Sequence, residues 1–262
     1  MNDSDQQWYS IGDVADITGV NPVTLRAWQR RYGLIKPHRT EKGHRLFNAE
    51  DIETIKTILS WLDKGVAIRN VKPLLSGENT PITTSPSLPE TEQLLDALAN
   101  LNFDKADQIL ATCLKEYPLT TFKKRLFHVI ENTLRQPERP HKGLQYTLWR
   151  TLITQQLSAL TNLQRQHNKK PCWLIRCGQR GHTLAWLTAM ELSNKGYRVN
   201  MLDGIQEKLS PFTHLIKASS RTKIVIVGEE KIKPAIINEL QKLPKPPELL
   251  GSIAEIHAND FE

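Results

Sequence analysis

The residues with the clearest chemical potential form one basic stretch between Asn21 and Phe47. This stretch contains seven Lys or Arg residues and a single acid, Glu41. Cations at this density attract an anionic partner, and guanidinium and ammonium groups are the usual ligands of nucleic-acid phosphates. One basic residue on a helix is more often simply solvated, so the interpretation rests on the ordered pattern of the whole stretch.

Two short helices are predicted to position these residues. Ser10 can cap the first helix, which Gly19 can end, and Asn21 can cap the second, with Pro22 in its first turn. Two helices joined by a tight turn that contains glycine form a helix-turn-helix, whose second helix normally lies in the major groove of DNA.

The second helix has one face for packing and one face for a ligand. We predict that Val23 and Ala27 face the first helix. The residues that then remain available to DNA are Thr24, Arg26, Trp28 and Arg30.

A short hairpin is predicted to follow the second helix. Gly33 ends that helix, Pro37 begins an extended segment, and residues 41–44 form a turn between two short arms. A basic hairpin after a reading helix acts as a wing, which grips phosphates or reaches into the minor groove. Asn48 can then cap a further helix, which Gly65 ends.

Three motifs resemble the DNA-binding head of MerR-type transcription regulators. They are Thr24-Leu-Arg-Ala-Trp28, Gly33-Leu-Ile-Lys-Pro-His-Arg39 and Gly43-His-Arg-Leu-Phe47. The resemblance covers about residues 8 to 75 in order and without gaps. Its Trp-Gln-Arg-Arg-Tyr variant is similar to the branch that includes cobalamin-dependent light-sensing repressors and an enteric activator of curli and biofilm genes.

The resemblance implies a DNA-binding role for eight residues. They are Thr24, Arg26, Trp28, Arg30, Arg39, His44, Arg45 and Phe47. Arg26 would contact DNA from the second helix, Trp28 would pack against the sugar–phosphate backbone, and Arg39 and Arg45 would grip phosphates from the wing. His44 and Phe47 stand where the family usually has tyrosine. The alternative is that Trp28 and Phe47 are ordinary aromatic residues of a small core.

The whole chain is predicted to be multidomain. Residues 1–75 form the winged helix-turn-helix head, and residues 76–89 form a linker that contains prolines. Residues 90–168 form a four-helix bundle that is interrupted at Pro137 and Pro140. Residues 169–262 form a small, doubly wound, flavodoxin-like α/β domain. In that last domain, strands are predicted at residues 172–176, 197–202, 223–227 and 249–253, and helices at residues 183–195, 211–219 and 233–243.

This architecture resembles the cobalamin-binding sensors of the same family. In those sensors, the loop after the first strand carries Asp/Glu-x-His-x-x-Gly, whose histidine ligates cobalt. Here the loop reads Gly178-Gln-Arg-Gly-His-Thr-Leu-Ala185, and Gly181 rather than His182 falls at the ligand position. We therefore expect a degenerate site around Gly181 and His182, no bound cofactor or metal, and a surface loop position for His182.

Composition and motifs bear on the remaining function classes. The net charge of +7 and the pI near 9.3 suit an anionic partner. The three cysteines include no CxxC pair, which indicates that their thiols are reduced. The N-terminus is polar and the chain has no long apolar run, and both features favour a cytoplasmic protein. The sequence shows no clear Ser-His-Asp, HExxH or paired-carboxylate pattern. The glycines at 178 and 181 are only a weak signal for a phosphate-binding loop. We therefore predict that the protein is not an enzyme.

The predicted function is sequence-specific regulation of transcription. The resemblance implies a homodimer that binds promoter DNA, acts with RNA polymerase and activates promoters with long spacers, with curli or biofilm matrix genes as targets. Two alternatives stay open. One is a cobalamin-dependent light-responsive repressor, and the other is an antirepressor-type regulator that acts by binding another protein.

Overall fold

The computed structural model of the protein describes residues 7–78, 84–136, 141–206, 209–210, 212 and 221–261. The chain divides into two compact units, Met1–Trp149 and Arg150–Glu262. This two-way division does not resolve our four predicted parts, which stay a prediction. The break at Pro137 and Pro140 lies outside the described residues, and so does the predicted helix 211–219 apart from Phe212.

The first unit begins with the head, residues 9–75. Its elements are β1 (Tyr9–Ser10), α1 (Ile11–Thr18), α2 (Pro22–Ala27), a π-helical turn (Trp28–Tyr32), β2 (His38–Arg39), β3 (Arg45–Phe47), α3 (Ala49–Asp63), a 3₁₀ turn (Ile68–Asn70) and α4 (Val71–Leu75). We call Pro22–Tyr32, which comprises α2 and the π-helical turn, the reading helix.

The helix ends follow the local signals of the sequence. The Ser10 hydroxyl accepts from the Asp13 N–H while the Asp13 carboxylate accepts from the Ser10 N–H, and Asn48 and Asp51 form the same reciprocal pair at the start of α3. The Asn21 side chain accepts from the Thr24 N–H at 2.9 Å. These predicted caps are confirmed.

The predicted hairpin is present and has an additional partner. Strands β2 and β3 pair antiparallel, with His38 opposite Leu46, and the sheet order is β1-β3-β2. Strand β1 pairs with β3 through Tyr9 and Phe47. Sequence reasoning missed β1, because a strand of two residues shows no alternation of polar and apolar side chains.

Helices fill the rest of the first unit. They are α5 (Pro89–Ala99), α6 (Phe103–Glu116), α7 (Leu119–Phe122), a π-helical turn (Lys123–Phe127), α8 (His128–Leu134) and the start of α9 (Lys142–Arg165). Their apolar stripes form the core, in which Leu94, Leu98, Leu110, Phe122, Ile130 and Trp149 are fully buried or nearly so. Apolar residues at helical spacing are typical of amphipathic helices, but not all of them are buried here: Leu101 is 50% and Phe103 42% exposed.

The second unit contains a four-stranded parallel sheet. Its strands are β4 (Lys170–Cys177), β5 (Tyr197–Ile205), β6 (Lys223–Val227) and β7 (Glu248–Leu250), in the order β5-β4-β6-β7. The described helices are the rest of α9, α10 (His182–Asn194), α11 (Pro234–Leu240) and α12 (Ser252–Ile256). The prediction of strand over residues 249–253 was wrong after Leu250, because Gly251 adopts a φ of +83° and α12 begins at Ser252.

Both faces of this sheet are covered. Leu174 belongs to a core cluster with Ala185 and Ala189 of α10, whereas its neighbour Ile175 packs in a second cluster with Ile236 of α11. Alternate side chains of a strand point to opposite faces, which explains the two clusters. Because both faces of the sheet are covered, successive side chains of a strand are buried on one face or the other, and such strands are almost continuously apolar.

Two further observations concern the chain as a whole. All three cysteines are buried and free, and burial raises the pKa of the Cys172 and Cys177 thiols to about 12, so they are unreactive thiols at neutral pH. Within the described ranges, none of the helices is both long enough and apolar enough to cross a membrane.

Candidate nucleic-acid interface

Four arginines from the reading helix and the wing form one cluster. Arg26 lies on α2, Arg30 in the π-helical turn, Arg39 on β2 and Arg45 on β3. Among the described residues, none of the four has a carboxylate within ion-pair distance. The cluster is therefore a concentration of positive charge that the protein itself does not neutralise.

Arg45 shows how closely these charges approach one another. Burial, together with the neighbouring guanidinium groups of Arg39, Arg26 and Arg30, lowers the pKa of Arg45 below its ordinary value. An arginine nevertheless stays charged in a protein, so the repulsion persists until an anion arrives. Phosphate oxygens would relieve it, because each guanidinium group offers several N–H donors in a planar fork.

A direct bond joins the wing to the reading helix. The Arg45 Nε–H donates to Oε1 of Gln29 at 2.6 Å. Gln29 lies in the π-helical turn and Arg45 on β3, so one hydrogen bond fixes the spacing between the helix and the wing. Sequence reasoning missed Gln29, and nothing in its spacing would have identified it.

Five of the eight predicted DNA-binding residues are accessible. Arg26, Arg30, Arg39 and His44 are exposed, and Arg45 is half-buried. His44 lies in the wing turn, where its N–H donates to the Thr40 hydroxyl at 3.1 Å. Their contact with DNA stays a prediction.

The other three predicted residues face inward. Thr24, Trp28 and Phe47 are 0% exposed, whereas Val23 is 50% exposed. Our assignment of faces was therefore wrong for Val23, Thr24 and Trp28. The burial of Trp28 and Phe47 favours the ordinary-core alternative for these two aromatic residues, and their contact with DNA stays a prediction. The outward face of α2 carries Val23 and Arg26, which are three residues apart and so share a face. An exposed valine there could contact thymine methyl groups.

Trp28 is buried against the helical part of the first unit. Its indole Nε1–H donates to the backbone carbonyl of Glu116, the last residue of α6, at 2.7 Å. The Glu116 carboxylate forms an ion pair with Arg31 and accepts a hydrogen bond from the Tyr32 hydroxyl. Three residues of the reading helix therefore converge on one residue of α6.

The environment of Tyr32 keeps its hydroxyl protonated. Burial, and then the Glu116 carboxylate that accepts its hydrogen bond, raises the pKa of Tyr32 well above its ordinary value. Glu116 itself is only 5% exposed. A buried carboxylate needs donors, and Arg31 and Tyr32 supply them.

A second junction joins the head to the helices that follow it. The Arg125 guanidinium donates to the backbone carbonyl of Asp63 and, at 2.6 Å, to that of Ser85. Gly65 adopts a φ of +94°, and a Cβ there would lie 2.3 Å from the Ser85 carbonyl oxygen. Only glycine fits at this close approach.

In the second unit, His182 is not a loop residue. It begins α10, its Nδ1 lies 2.9 Å from Oδ2 of Asp203, and its Nε2 lies 2.9 Å from the Thr154 hydroxyl. Asp203 also pairs with Arg176. Burial alone would raise the pKa of Asp203, but hydrogen bonds from His182 and Arg176 hold it below its ordinary value. Our surface-loop prediction for His182 was wrong, since both ring nitrogens are engaged.

The crevice beyond the carboxyl ends of β4 and β6 is where sheets of this kind bind ligands. Here the Glu230 carboxylate accepts from the Gln179 N–H, and a Cβ at Gly178 would lie 2.0 Å from that carboxylate. No cluster of three metal-ligating side chains occurs in the part of the chain that the structure describes. The residues present do not fit cobalamin, because Gly181, at the ligand position, has no side chain and both ring nitrogens of His182 are engaged.

The helix-turn-helix, the paired wing and the arginine cluster together define a winged DNA-binding head. A model of the MerR HTH family of regulatory proteins matches residues 9–78. The chain is also 34% identical over 223 residues to the HTH-type transcriptional regulator MlrA of Escherichia coli (strain K12), across 85% of this chain and 89% of that protein. The chain belongs to the MerR family of DNA-binding transcription regulators.

Other relatives differ in how much of the chain they match. The MlrA regulator of Salmonella typhimurium (strain SL1344) is 34% identical over 194 residues, which is 74% of this chain and 79% of that protein. The HTH-type transcriptional repressor CarH of Myxococcus xanthus is 37% identical over 70 residues, which is 27% of this chain and 23% of that protein. Similarity to MlrA thus extends far beyond the length of the head.

Proposed function

We propose that this regulator binds promoter DNA in a sequence-specific manner and activates transcription from promoters with long spacers. The observation that carries the DNA-binding part of the proposal is the arginine cluster, in which the reading helix and the wing present four cations that form no ion pair with a carboxylate of the described residues. The Arg45–Gln29 bond at 2.6 Å holds these two elements in register.

The geometry supports the DNA contacts of the proposed mechanism, and the family resemblance implies its homodimer and its action with RNA polymerase. Val23 and Arg26 read base edges in the major groove, while Arg30, Arg39, His44 and Arg45 hold the phosphates on either side. Two heads of a homodimer, each on one half of an inverted repeat, bend and untwist the DNA between them, and the contacts repay the deformation energy. RNA polymerase can then engage both promoter elements. Curli or biofilm matrix genes are the proposed targets, following the branch that the sequence resembles.

The rest of the chain has a proposed architecture of its own. Helices α5 to α9 form a four-helix bundle in which α7, its π-helical turn and α8 count as one helix. The strand order β5-β4-β6-β7 matches the flavodoxin-like order, in which the first strand lies between the second and the third. The homodimer contact uses one of these two parts, and the 63% exposed Leu163 of α9 is a candidate for it.

The alternatives have less support. A light-responsive repressor would need cobalamin, and neither Gly181 nor the doubly hydrogen-bonded His182 fits that cofactor as a ligand. An antirepressor would act through a protein partner while its head binds DNA weakly, whereas the arginine cluster favours a strong contact with phosphates. We further propose that the protein is not an enzyme and that it acts in the cytoplasm, where promoter DNA is found.

Genome-wide mapping of bound DNA tests the proposal. We expect enrichment of promoters that share an inverted repeat inside a spacer of more than the usual length, and lower transcription of those genes when the protein is deleted. Enrichment of promoters with ordinary spacers, or higher transcription on deletion, would refute the activator mechanism. An absence of enrichment would refute promoter binding.

A further inference from the structure

The second unit has a basic surface of its own, which lines an open groove of about 600 Å³. The lining residues are three cations and three side-chain amides: Arg165, Lys169, Arg198, Asn162, Gln166 and Asn168. They come from the end of α9, the segment that follows it and strand β5. We call this surface the basic groove.

The walls of the basic groove are fixed by hydrogen bonds. The Arg165 Nη2–H donates to Oδ1 of Asn200 at 2.6 Å. The Asn168 amide donates to the carbonyls of Ser193 and Tyr197 at 2.8 and 3.0 Å. Arg198 and Asn200 are two residues apart on β5 and therefore point to the same face of the sheet. These bonds hold Arg165 and Asn168 in place.

The cations of the basic groove are not neutralised internally. Among the described residues, neither Arg165, Lys169 nor Arg198 forms an ion pair with a carboxylate. The contrast is Lys223 at the start of β6, whose Nζ lies 2.6 Å from the Glu248 carboxylate. Three charges in one groove without a carboxylate indicate an anionic ligand.

The lining also indicates which anion. Pockets for nucleotides and other small molecules are mostly apolar and aromatic, with a few polar groups, whereas this groove is lined by cations and amides alone. Arginine, lysine, asparagine and glutamine side chains supply many of the contacts to phosphate and sugar oxygens in protein–DNA complexes. We propose that the basic groove binds the sugar–phosphate backbone of duplex DNA that flanks the operator. This inference rests on the proposed DNA-binding function of the head.

The test compares two fluorescent duplexes that both carry an operator found by genome-wide mapping. One contains the operator alone, and the other extends it by about two helical turns on each side, roughly 20 bp. The full-length protein is titrated onto each over a range of salt concentrations. We expect tighter binding to the extended duplex, with a salt dependence steeper by up to about 3 units for each subunit of the proposed dimer, since each neutralised phosphate contributes about 0.9.

Matched variants assign that difference to the groove. The triple variant Arg165→Gln/Lys169→Gln/Arg198→Gln should bind both duplexes equally and lose the additional salt dependence. The control Lys233→Gln/Lys242→Gln/Lys245→Gln removes the same charge from exposed lysines elsewhere in the second unit and should keep the advantage of the extended duplex. The double variant Lys169→Gln/Arg198→Gln leaves the Arg165–Asn200 bond intact and should lose about two thirds of the effect.

The outcomes separate the inference from the proposed function. If wild-type protein binds the operator but gains nothing from the flanks, or if the triple variant and its control lose the advantage equally, the groove assignment is wrong. Direct binding of a free mononucleotide that only the triple variant loses, without any flank effect, would reassign the groove to a small ligand. If wild-type protein binds neither duplex, the proposed function fails, and this inference fails with it.

Discussion

The indole Nε1–H of Trp28 donates to the backbone carbonyl of Glu116 at 2.7 Å, across a separation of 88 residues along the chain. This bond links the reading helix to α6. Because Arg31 and Tyr32 bind the carboxylate of the same glutamate, the orientation of the reading helix depends on the end of α6. Any movement of α6 would therefore reach the DNA-binding surface through Glu116.

Replacing Trp28 by phenylalanine tests whether this residue is structural. Trp28→Phe should lower the free energy of unfolding by about 1–3 kcal/mol, because the Glu116 carbonyl loses its donor and the smaller ring leaves space. Chemical denaturation followed by circular dichroism measures the change. The control Trp8→Phe, at a 41% exposed tryptophan, should have little effect. Unchanged stability with a loss of DNA affinity would show that Trp28 acts on DNA directly.

Tyr32 should make stability depend on alkaline pH. Its pKa in the folded protein is raised above the unfolded value of about 10, so its contribution is fully present below pH 10 and is lost as the pH rises above it. Wild-type protein should therefore lose more stability above about pH 10 than Tyr32→Phe, as measured by denaturation between neutral and alkaline pH. Tyr9→Phe, at a half-buried tyrosine of β1, is the control. Parallel pH profiles for wild type and Tyr32→Phe would contradict the Glu116 contact.

Gln29 should position the wing without contributing charge. Gln29→Leu removes the acceptor of the Arg45 Nε–H while leaving every cation of the cluster in place. We expect several-fold weaker operator binding with an unchanged salt dependence, because the number of phosphate contacts stays the same. Gln29→Glu should not restore the wild-type behaviour, since a carboxylate there would neutralise Arg45. Wild-type affinity for Gln29→Leu would show that the bond is dispensable.

Asp203 should stabilise the second unit. Asp203→Asn leaves the buried Arg176 guanidinium without its carboxylate, which should cost on the order of 2–4 kcal/mol after allowance for the partial exposure of Asp203. The lowered pKa of Asp203 means that its contribution is present above pH 4 or so and is lost as the pH falls. The variant should therefore show a smaller loss of stability in acid than wild type. Equal acid profiles would contradict the network.

The residues predicted best were those whose partners are close in sequence. Ser10, Asn21 and Asn48 cap their helices through atoms three residues away, and the hairpin between β2 and β3 needs only a local turn. Trp28 could not be oriented in this way, because its partner Glu116 lies in another helix.

Partners that are distant in sequence also limited prediction in the second unit. The partners of His182 are Thr154 and Asp203, which lie on two other elements. The loop motif contains neither residue, so it led us to predict an exposed histidine where the structure has a hydrogen-bonded one. The apolar strands, in contrast, were visible as continuous runs. Their pairing order and the end of the last strand at Leu250 required the structure.

The most direct test of the central claim is the salt dependence of operator binding by Arg39→Gln. Arg39 is an exposed member of the arginine cluster on the wing, and Arg150→Gln, at an exposed arginine of α9, is the control. Fluorescence anisotropy with wild-type protein should show salt-sensitive binding to a mapped promoter fragment. Arg39→Gln should bind more weakly to every sequence, with a slope lower by about 1 unit for each subunit of the proposed dimer. If wild-type protein fails to bind any mapped promoter fragment in moderate salt, or if Arg39→Gln matches the control, the head does not hold DNA as proposed.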